Sequence, residues 1–261
     1  MFLRGLWVFI VWIGVVLAQP LMAESGDEGD IWVIQQQFVK FGKKELYEST
    51  KKSYVQSFGQ FLAKKSGLMT YAFEDLNSPQ YLYLTPLKNY AAVDGYFAQK
   101  KNHLAALSVQ DKEQMIGLLQ SIINFEIFSI HQYKEQCSYV PKGDGDLLER
   151  PRVHYDIVAL IPGTEDNFEG RLKQMAEQAG KEKSQQCWRV WKVLFGSDVP
   201  KYVVAVFAKD EKGLKKMMED LKFILPQDRE MLRKQSQSTA IARPDLSLNL
   251  KMGPTAVFRL K

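Results

Sequence analysis

The segment Pro79-Gln80-Tyr81-Leu82-Tyr83-Leu84 returns 121 residues later as Pro200-Lys201-Tyr202-Val203-Val204-Ala205. A second pair of similar segments, Gln110-Asp111-Lys112-Glu113 and Gln227-Asp228-Arg229-Glu230, lies 117 residues apart. A repeat of domain length predicts two similar units that pack together around a pseudo-twofold axis. It predicts an architecture, and it leaves the chemistry open.

The first repeat alternates between strand and helix patterns. Residues 43–65 carry apolar side chains in steps of three and four, which is typical of one face of an amphipathic helix. The shorter β-branched and aromatic runs around it end at turn residues such as Gly67 and Pro79, as strands do. Strands are predicted at 31–39, 68–73, 80–87 and 122–133, and helices at 43–65, 89–107 and 111–120.

The second repeat follows the same order. Thr164 and Asp210 are residue types that cap helix N-termini, and an apolar stripe from Phe168 to Ala179 follows the first of them. Strands are predicted at 153–161, 188–195, 202–207 and 238–242, and helices after Thr164, after Asp210 and at 228–235. Each repeat therefore has the order β-α-β-β-α-β of a ferredoxin-like unit.

One face of each four-stranded antiparallel sheet carries the helices, and the other face must be covered to bury its apolar side chains. A second copy of the unit can cover it. We therefore expect an α+β fold of two tandem ferredoxin-like βαββαβ units whose antiparallel sheets pack face to face as an α+β barrel. The chain would then be a monomeric pseudo-dimer.

The N-terminus has the layout of a secretory signal peptide. Arg4 supplies a positive charge, residues 6–18 are uncharged and apolar, and small residues precede cleavage after Ala23 or after Ala18. This run is shorter than a membrane-spanning helix requires. We expect an exported protein, periplasmic or secreted, without a membrane span after cleavage; the alternative is an uncleaved signal anchor.

These patterns divide the chain into six parts. They are a signal peptide (1–23), an acidic disordered tail (24–30), repeat 1 (31–141), a Gly- and Asp-rich linker (142–152), repeat 2 (153–251) and a C-terminal tail (252–261). Removal of the leader lowers the formal charge from +5 to +4, because only Arg4 is lost. Since basic and acidic residues alternate, this charge does not favour nucleic-acid binding.

The two cysteines, Cys137 and Cys187, leave two alternatives open. In an oxidising compartment they can form one disulfide that joins the end of repeat 1 to a strand of repeat 2. Alternatively, both are unpaired and behave as small apolar residues. Their spacing contains no CxxC motif and no zinc-binding set.

The chain resembles the dimeric α+β-barrel superfamily, in its NIPSNAP-like and antibiotic-biosynthesis-monooxygenase-like branch. The resemblance covers residues 31–250, and it depends on pattern-level motifs. The motifs are IWVIQQQFV (31–39), KKELYESTKKSY (43–54), PQYLYLTPLKNY (79–90) and SIINFEIFSIHQY (121–133) with the tail SYVP (138–141). It implies two facing sheets with a central or lateral pocket. Some members oxidise small aromatics without a cofactor, some bind or degrade haem, and many have no known activity. No member's catalytic residues match this chain position by position.

Four residues are weak candidates for catalysis, beginning with His154 and Asp156. These two lie two apart on one predicted strand and therefore share a sheet face. If that face lines the inter-sheet pocket, they form a polar pair for acid/base chemistry. The alternative is solvation at a strand edge near the linker. Their predicted counterparts in repeat 1 are Trp32 and Ile34, so the pair would be specific to repeat 2.

His131 and Glu126 are the other two candidates, both on the fourth predicted strand. His131 aligns with Ala240, and it is either a haem ligand or a core or surface histidine. Glu126 would have a raised pKa if it were buried. His103 is expected near the surface of a helix. Strand aromatics either line a pocket for a flat apolar ligand or fill the cores: Tyr71, Tyr81, Tyr83, Phe125, Phe128, Trp188 and Trp191.

Standard catalytic motifs are absent from the sequence. It contains no GxGxxG after the first strand, no P-loop, no GxSxG and no HExxH. Three histidines and two cysteines leave little for a metal site. We therefore predict a non-catalytic protein that binds a small apolar or aromatic molecule or a partner, with no cofactor. The alternative is a cofactor-independent or haem-dependent monooxygenase-like enzyme that uses the inter-sheet pocket.

Overall fold

The computed structural model describes residues 31–62, 68–142, 146–221 and 231–249. Repeat 1 contains β1 (Ile31–Val39), α1 (Lys44–Leu62), β2 (Met69–Asp75), β3 (Gln80–Leu87), α2 (Ala91–Ala106), α3 (Val109–Ile122) and β4 (Ile123–Tyr133). Repeat 2 contains β5 (Arg152–Leu160), α4 (Glu165–Lys181), β6 (Trp188–Val193), β7 (Lys201–Ala208), α5 (Glu211–Leu221), β8 (Leu232–Ala242) and β9 (Leu248–Asn249). Single 3-10 turns lie at Glu135–Cys137, Leu147–Glu149 and Pro244–Leu246. The predicted signal peptide and acidic tail lie outside the described residues, and no described helix is long and apolar enough to cross a membrane.

The helix predicted at 228–235 is wrong for its last four residues, which belong to β8. Leu232 already pairs with Leu160 of β5, and the ladder continues from there to Ile241. The segment is polar and mostly exposed, so it has no apolar alternation that would indicate a strand. Its conformation depends on the backbone hydrogen bonds that β5 offers, which is a tertiary effect.

Two four-stranded antiparallel sheets close into one barrel. Their strand orders are β2-β3-β1-β4 and β6-β7-β5-β8. Three residue pairs join β4 to β6, and three join β2 to β8, so the eight strands form a closed ring. The α+β fold of two ferredoxin-like units with facing sheets is thus confirmed. The short strand β9 adds to β2 outside this ring.

The strand registers determine which residues of the two repeats are equivalent. Ile31 lies opposite Leu87 in β3, and Arg152 lies opposite Ala208 in β7. The equivalent positions of these strands are therefore 121 residues apart, and not 122. This single-residue correction moves the repeat 1 counterparts of the β5 residues to the other sheet face, because side chains alternate along a strand. Val33 and Gln35 replace Trp32 and Ile34 as the counterparts of His154 and Asp156.

Three layers of core follow from this arrangement. The barrel interior is filled from both sheets by residues such as Trp32, Leu84 and Phe207. The helices of each repeat cover the outer face of their own sheet, and the predicted stripe of α4 packs there through Phe168 and Leu172. The outer layers contain the buried polar side chains of the candidate functional site.

The cysteines lie in different layers. Cys137 packs in the outer core of repeat 2, whereas Cys187 packs in the barrel interior. Both are buried, and each of the two alternatives stays a prediction.

Candidate functional site

A cluster of four buried polar side chains lies between α1 and the outer face of the repeat 1 sheet. We call it the lysine cluster, and it consists of Gln37 on β1, Tyr47 and Lys51 on α1, and Tyr83 on β3. Tyr47 and Lys51 are four residues apart, so they project from the same helix face towards the sheet. Gln37 and Tyr83 reach them because both point outwards from the barrel.

Hydrogen bonds connect all four side chains. The Tyr47 hydroxyl donates to Gln37 Oε1 at 2.6 Å and lies 2.7 Å from the Tyr83 hydroxyl. Lys51 Nζ donates to the same Gln37 Oε1 at 3.1 Å and lies 3.9 Å from the centre of the Tyr83 ring. The lysine is only 7% exposed. Its immediate contacts are thus an amide oxygen and a ring face, both weaker partners for a cation than a carboxylate would be.

Burial controls the charges in the lysine cluster. Desolvation, followed by repulsion from Lys100, lowers the pKa of Lys51 to about 7. Desolvation raises the pKa of Tyr47 and that of Tyr83 well above the ordinary tyrosine value. Near neutral pH the tyrosines are therefore neutral, and Lys51 is close to half-protonated. An amine in this state can take a proton from an acidic group or pair with an anion.

Glu126 connects the lysine cluster to the surface. Its Oε2 accepts from Gln37 Nε2 at 2.9 Å and from Gln35 Nε2 at 2.8 Å, although Glu126 itself is exposed. Lys100 Nζ donates to Gln35 Oε1 at 3.3 Å. Gln37 thus links the buried amine to a solvent-exposed carboxylate.

Two partly exposed aromatic rings lie near Lys100, which donates to Gln35. Phe97 is 38% exposed and Phe128 is 40% exposed, and their ring centres are 5.5 Å apart. Lys100 Nζ lies 5.3 Å from the centre of the Phe128 ring, which places the pair next to the polar groups. A flat molecule can contact these rings and extend towards Gln35 and Gln37.

Repeat 2 is apolar at the four positions that are equivalent to the lysine cluster. The residues there are Val158, Phe168, Leu172 and Val204, all buried in one hydrophobic core. The same fold therefore forms with a conventional apolar layer at this place. Because burying a polar group carries a free-energy cost, the lysine cluster in repeat 1 is not explained by the requirements of the fold.

The structure places His154 and Asp156 outside the barrel, so the pocket role considered for them is wrong. Both lie on the outer face of β5, whereas Tyr155 and Ile157 point into the interior. The predicted pairing is present, since His154 Nε2 lies 3.1 Å from Asp156 Oδ2. Asp156 Oδ1 also accepts from Gln235 at 2.8 Å. Asp156 and Gln235 occupy the positions that Gln35 and Glu126 occupy in repeat 1. Both repeats therefore have a carboxylate–amide hydrogen bond here, but the strands that carry the carboxylate and the amide are exchanged.

His131 does reach the inter-sheet pocket. It lines a cavity of about 60 Å³ between the two sheets. Its Nε2 lies 2.7 Å from Ser129 Oγ, and burial lowers its pKa to about 3, so it is neutral. Glu126, by contrast, projects from the outer face of β4. His131 is therefore the only one of the four candidate residues that lines the cavity.

His103 is buried, which corrects the expectation that it lies near the surface. Its Nε2 lies 2.8 Å from Ser57 Oγ, and it packs among aromatic side chains of α1 such as Phe58. Burial lowers its pKa. All three histidines of the chain are thus buried, and each has a side-chain hydrogen-bond partner within the protein. The described residues contain no group of three His, Cys, Asp or Glu side chains that could hold a metal ion.

Sequence reasoning missed Lys51 and Gln37. A lysine in an amphipathic helix usually lies on the solvated face, and a glutamine in a strand carries no motif. The available signal was the repeat itself, since Lys51 aligns with Leu172 and Gln37 with Val158 at the same 121-residue offset.

Comparison with solved structures supports the fold. The chain is similar to a candidate monooxygenase from Lactobacillus acidophilus, with a TM-score of 0.57 and 9% identity over 85% of this chain and 97% of that one. It is similar to an anthrone oxidase-like protein, with a TM-score of 0.54 and 10% identity over 83% and 92% of the two chains. A candidate chlorite dismutase has a TM-score of 0.52 and 14% identity over 83% and 96%.

These similarities establish a dimeric α+β barrel formed within one chain. No family model matches the sequence, and no curated protein is significantly similar to it. The assignment to a NIPSNAP-like or monooxygenase-like branch therefore stays a prediction.

Proposed function

We propose that this protein binds a small planar molecule with an acidic hydroxyl group, such as a phenol or enol, at the lysine cluster of repeat 1. The ring of the ligand contacts Phe97 and Phe128, and its oxygen takes the place next to Lys51. The observation that carries the proposal is the buried amine at a position where repeat 2 has Leu172.

The chemistry of the cluster selects the ligand. A lysine with a pKa of about 7 accepts a proton from a phenol of similar acidity, and the resulting ammonium and phenolate attract each other strongly at low dielectric. The hydroxyls of Tyr47 and Tyr83 remain protonated, but Tyr47 donates to Gln37 Oε1 and Tyr83 to the Tyr47 oxygen, so donation to the ligand oxygen requires these bonds to be exchanged. A neutral aromatic without a hydroxyl has no proton to give to Lys51 and forms no ion pair with it.

The test uses 4-nitrophenol, whose phenolate is yellow. At pH 7 we expect binding to raise the phenolate absorbance, because Lys51 takes the proton. Lys51→Leu, which copies repeat 2, should weaken binding by at least about tenfold, which corresponds to about 1.4 kcal/mol.

Two controls accompany this measurement. Lys192→Leu removes a lysine that lies near the ring of Tyr202 in repeat 2, and it should leave binding unchanged. Nitrobenzene, which lacks the hydroxyl, should not bind measurably. Equal binding of 4-nitrophenol to the Lys51→Leu variant and to the natural chain would refute the proposal.

Oxidation of the bound molecule is the second candidate function. The anthrone oxidase-like and monooxygenase-like proteins with this fold favour it, as does an amine able to remove a proton from an activated carbon. In that reaction a CH₂ group and O₂ would give a C=O group and water, without a cofactor. Oxygen uptake with anthrone, lost in Lys51→Leu, would support it; binding without any uptake would leave the protein a carrier.

The haem alternative is less well supported by the residues present. Each histidine is buried, and His131 faces a cavity of about 60 Å³, well below the roughly 300 Å³ of ordinary cofactor sites. His103 is hydrogen-bonded to Ser57, and His154 is hydrogen-bonded to Asp156. The described residues thus offer no accessible axial ligand of the histidine type.

Export also belongs to the proposal. The apolar run at 6–18 and the small residues at Ala18 and Ala23 support it. N-terminal sequencing of the protein from its natural source should begin at Glu24 or Gln19, and a start at Met1 would contradict cleavage.

A further inference from the structure

The turn between β1 and α1 in repeat 1 has the same backbone as the turn between β5 and α4 in repeat 2. In each turn the fourth residue donates its backbone N–H to the carbonyl of the first, at 3.1 Å in residues 40–43 and at 3.2 Å in residues 161–164. The third residue is a glycine with positive φ, Gly42 at 72° and Gly163 at 91°. Because the two backbones agree, the fold does not explain differences between their side chains.

The side chains of the two turns are opposite in charge. Residues 40–45, KFGKKE, contain three lysines and one glutamate, so their net charge is +2. The equivalent residues 161–166, IPGTED, contain two acidic residues and no basic one, so their net charge is −2. Phe41 also stands where repeat 2 has Pro162. We call residues 40–44 the basic turn.

The basic turn presents an aromatic ring to solvent. Phe41 is 100% exposed, so it forgoes the free energy that removal of its ring from water would give. Three residues before it, the ring of Phe38 stacks on that of Phe125 with the ring centres 4.1 Å apart, and Phe125 is 48% exposed. The equivalent pair in repeat 2 is Ala159 and Lys234, so the aromatic character of this end of the sheet is specific to repeat 1.

The positive charges of the basic turn are only partly neutralised by the protein. Among the described residues, Lys40 and Lys43 form no ion pair with a carboxylate, and Lys40 Nζ donates instead to two backbone carbonyls at the end of α3, at 3.2 Å and 3.0 Å. Lys44 pairs with Glu74, but its side chain remains 62% exposed. The ammonium groups of Lys40 and Lys43 can therefore pair with an anionic surface that approaches the turn.

We infer that the basic turn attaches the protein to the surface of an anionic lipid bilayer. The Phe41 ring lies among the upper parts of the lipid chains, and the lysines lie next to the phosphate groups. Apolar burial and attraction to anionic lipids together give such interfacial binding. A lipid surface needs no shaped pocket, so it fits a ring that projects from a turn into open solvent. With a single ring inserted, the attachment is reversible.

The test measures co-sedimentation of the chain that begins at Glu24 with lipid vesicles. This chain keeps every described residue and lacks the apolar run at 6–18, which would bind lipid by itself. Vesicles of phosphatidylcholine with about one-third phosphatidylglycerol should bind it at least about tenfold more tightly than vesicles of phosphatidylcholine alone. Added NaCl should weaken the binding, because salt screens the lysines. Equal binding to both kinds of vesicle would contradict the role of the lysines.

Two variants separate the ring from the charge, because each copies the residue that repeat 2 has in the same turn. Phe41→Pro should weaken binding to the mixed vesicles at least about tenfold. Lys43→Thr should weaken it about fivefold at low salt and reduce its salt dependence. Phe195→Ala is the matched control, since it removes a 66% exposed ring from the turn between β6 and β7 and should leave binding unchanged.

The variant Phe41→Trp reports insertion of the ring directly. Lipids with brominated chains should quench its added fluorescence, whereas the tryptophans of the chain from Glu24 are all buried: Trp32, Trp188 and Trp191. Phe195→Trp should show no such added quenching. Absence of binding to the mixed vesicles, or equal binding by Phe41→Pro and the natural sequence, would overturn the inference.

Discussion

Lys51 is the residue whose surroundings depart most from those expected for its type. Lysines are almost never fully buried unless they are paired, yet this one lies between an amide oxygen and an aromatic ring. Its desolvation opposes folding, and repeat 2 avoids this cost with Leu172. The residue therefore weakens the fold at the place where we propose that it binds a ligand.

The first prediction concerns pH. The folded pKa of Lys51, about 7, lies below its unfolded value, so between about pH 7 and 10 the unfolded chain holds a proton that the folded chain has released. Stability should therefore rise with pH from about 7 towards 9.5, by at most about 1.4 kcal/mol per pH unit. Below pH 7 this contribution stays at its minimum. Urea unfolding at several pH values measures the slope.

The variant Lys51→Leu should remove this slope. It should also be more stable than the natural chain at pH 6, by about 1–4 kcal/mol, because a buried charge is replaced by an apolar side chain. Lys192→Leu should keep the slope, since Lys51 is still present. The same slope in Lys51→Leu as in the natural chain would contradict the prediction.

At the scale of elements, the two joints between the sheets are short. Each has three residue pairs, and the joint between β2 and β8 is reinforced by Asp75 at the end of β2. Asp75 Oδ2 accepts from Tyr155 at 2.5 Å and from Ser238 at 2.7 Å, and both donors belong to repeat 2. A single carboxylate of repeat 1 thus holds two strands of repeat 2.

The second prediction is that Asp75→Asn destabilises the protein by about 1–3 kcal/mol, because the amide has one acceptor oxygen for donors that now share two. Burial alone would raise the pKa of Asp75, but hydrogen bonds from Tyr155 and Ser238 lower it overall. The stabilisation is therefore present above about pH 4 and is lost as the pH falls through the folded pKa.

Acid unfolding followed by circular dichroism checks this prediction. The difference between the natural chain and Asp75→Asn should shrink below about pH 4 and disappear as the pH falls through the lowered pKa of Asp75, where the folded carboxyl takes up its proton. Glu113→Gln, at an exposed position of α3, should change stability by less than about 0.5 kcal/mol. A difference that stays constant down to pH 2 would contradict the assigned role of the carboxylate.

At the scale of the whole molecule, each repeat covers the inner sheet face of the other. Repeat 1 contributes Trp32, Ile34 and Leu84 to the interior, and repeat 2 contributes Val153 and Phe207. Separated from its partner, either sheet would expose a continuous apolar face. The second copy of the unit is therefore a structural requirement.

The third prediction follows because each repeat covers the inner sheet face of the other. Light scattering coupled to size-exclusion chromatography should find the whole chain monomeric, whereas repeat 1 alone (31–141) should dimerise or aggregate through its inner sheet face. Substituting Trp32 by Lys in the isolated repeat should reduce that association. A monomeric isolated repeat, or a stable dimer of the whole chain, would contradict the prediction.

Local sequence patterns predicted the bounds of most strands and helices closely. They failed where the conformation of a segment depends on its pairing with another strand. The bounds of β1 and β3 match the prediction, because apolar and β-branched runs are local signals. The first half of β8 was missed because its polar residues follow β5. For the candidate site, sequence reasoning named Glu126, but the buried residues next to it, such as Lys51, gave no local signal.

The two-unit architecture and the order of strands and helices follow from the sequence, since a repeat and its periodicities are properties of the chain alone. The face that each side chain occupies depends on strand pairing in the folded molecule, because a shift of one residue in that pairing exchanges inside and outside. The tertiary structure moved His154 and Asp156 out of the barrel, placed His131 in the cavity, and buried Lys51 beneath Tyr83. Burial changes the chemistry of an amine, and burial depends on what the rest of the fold places around it.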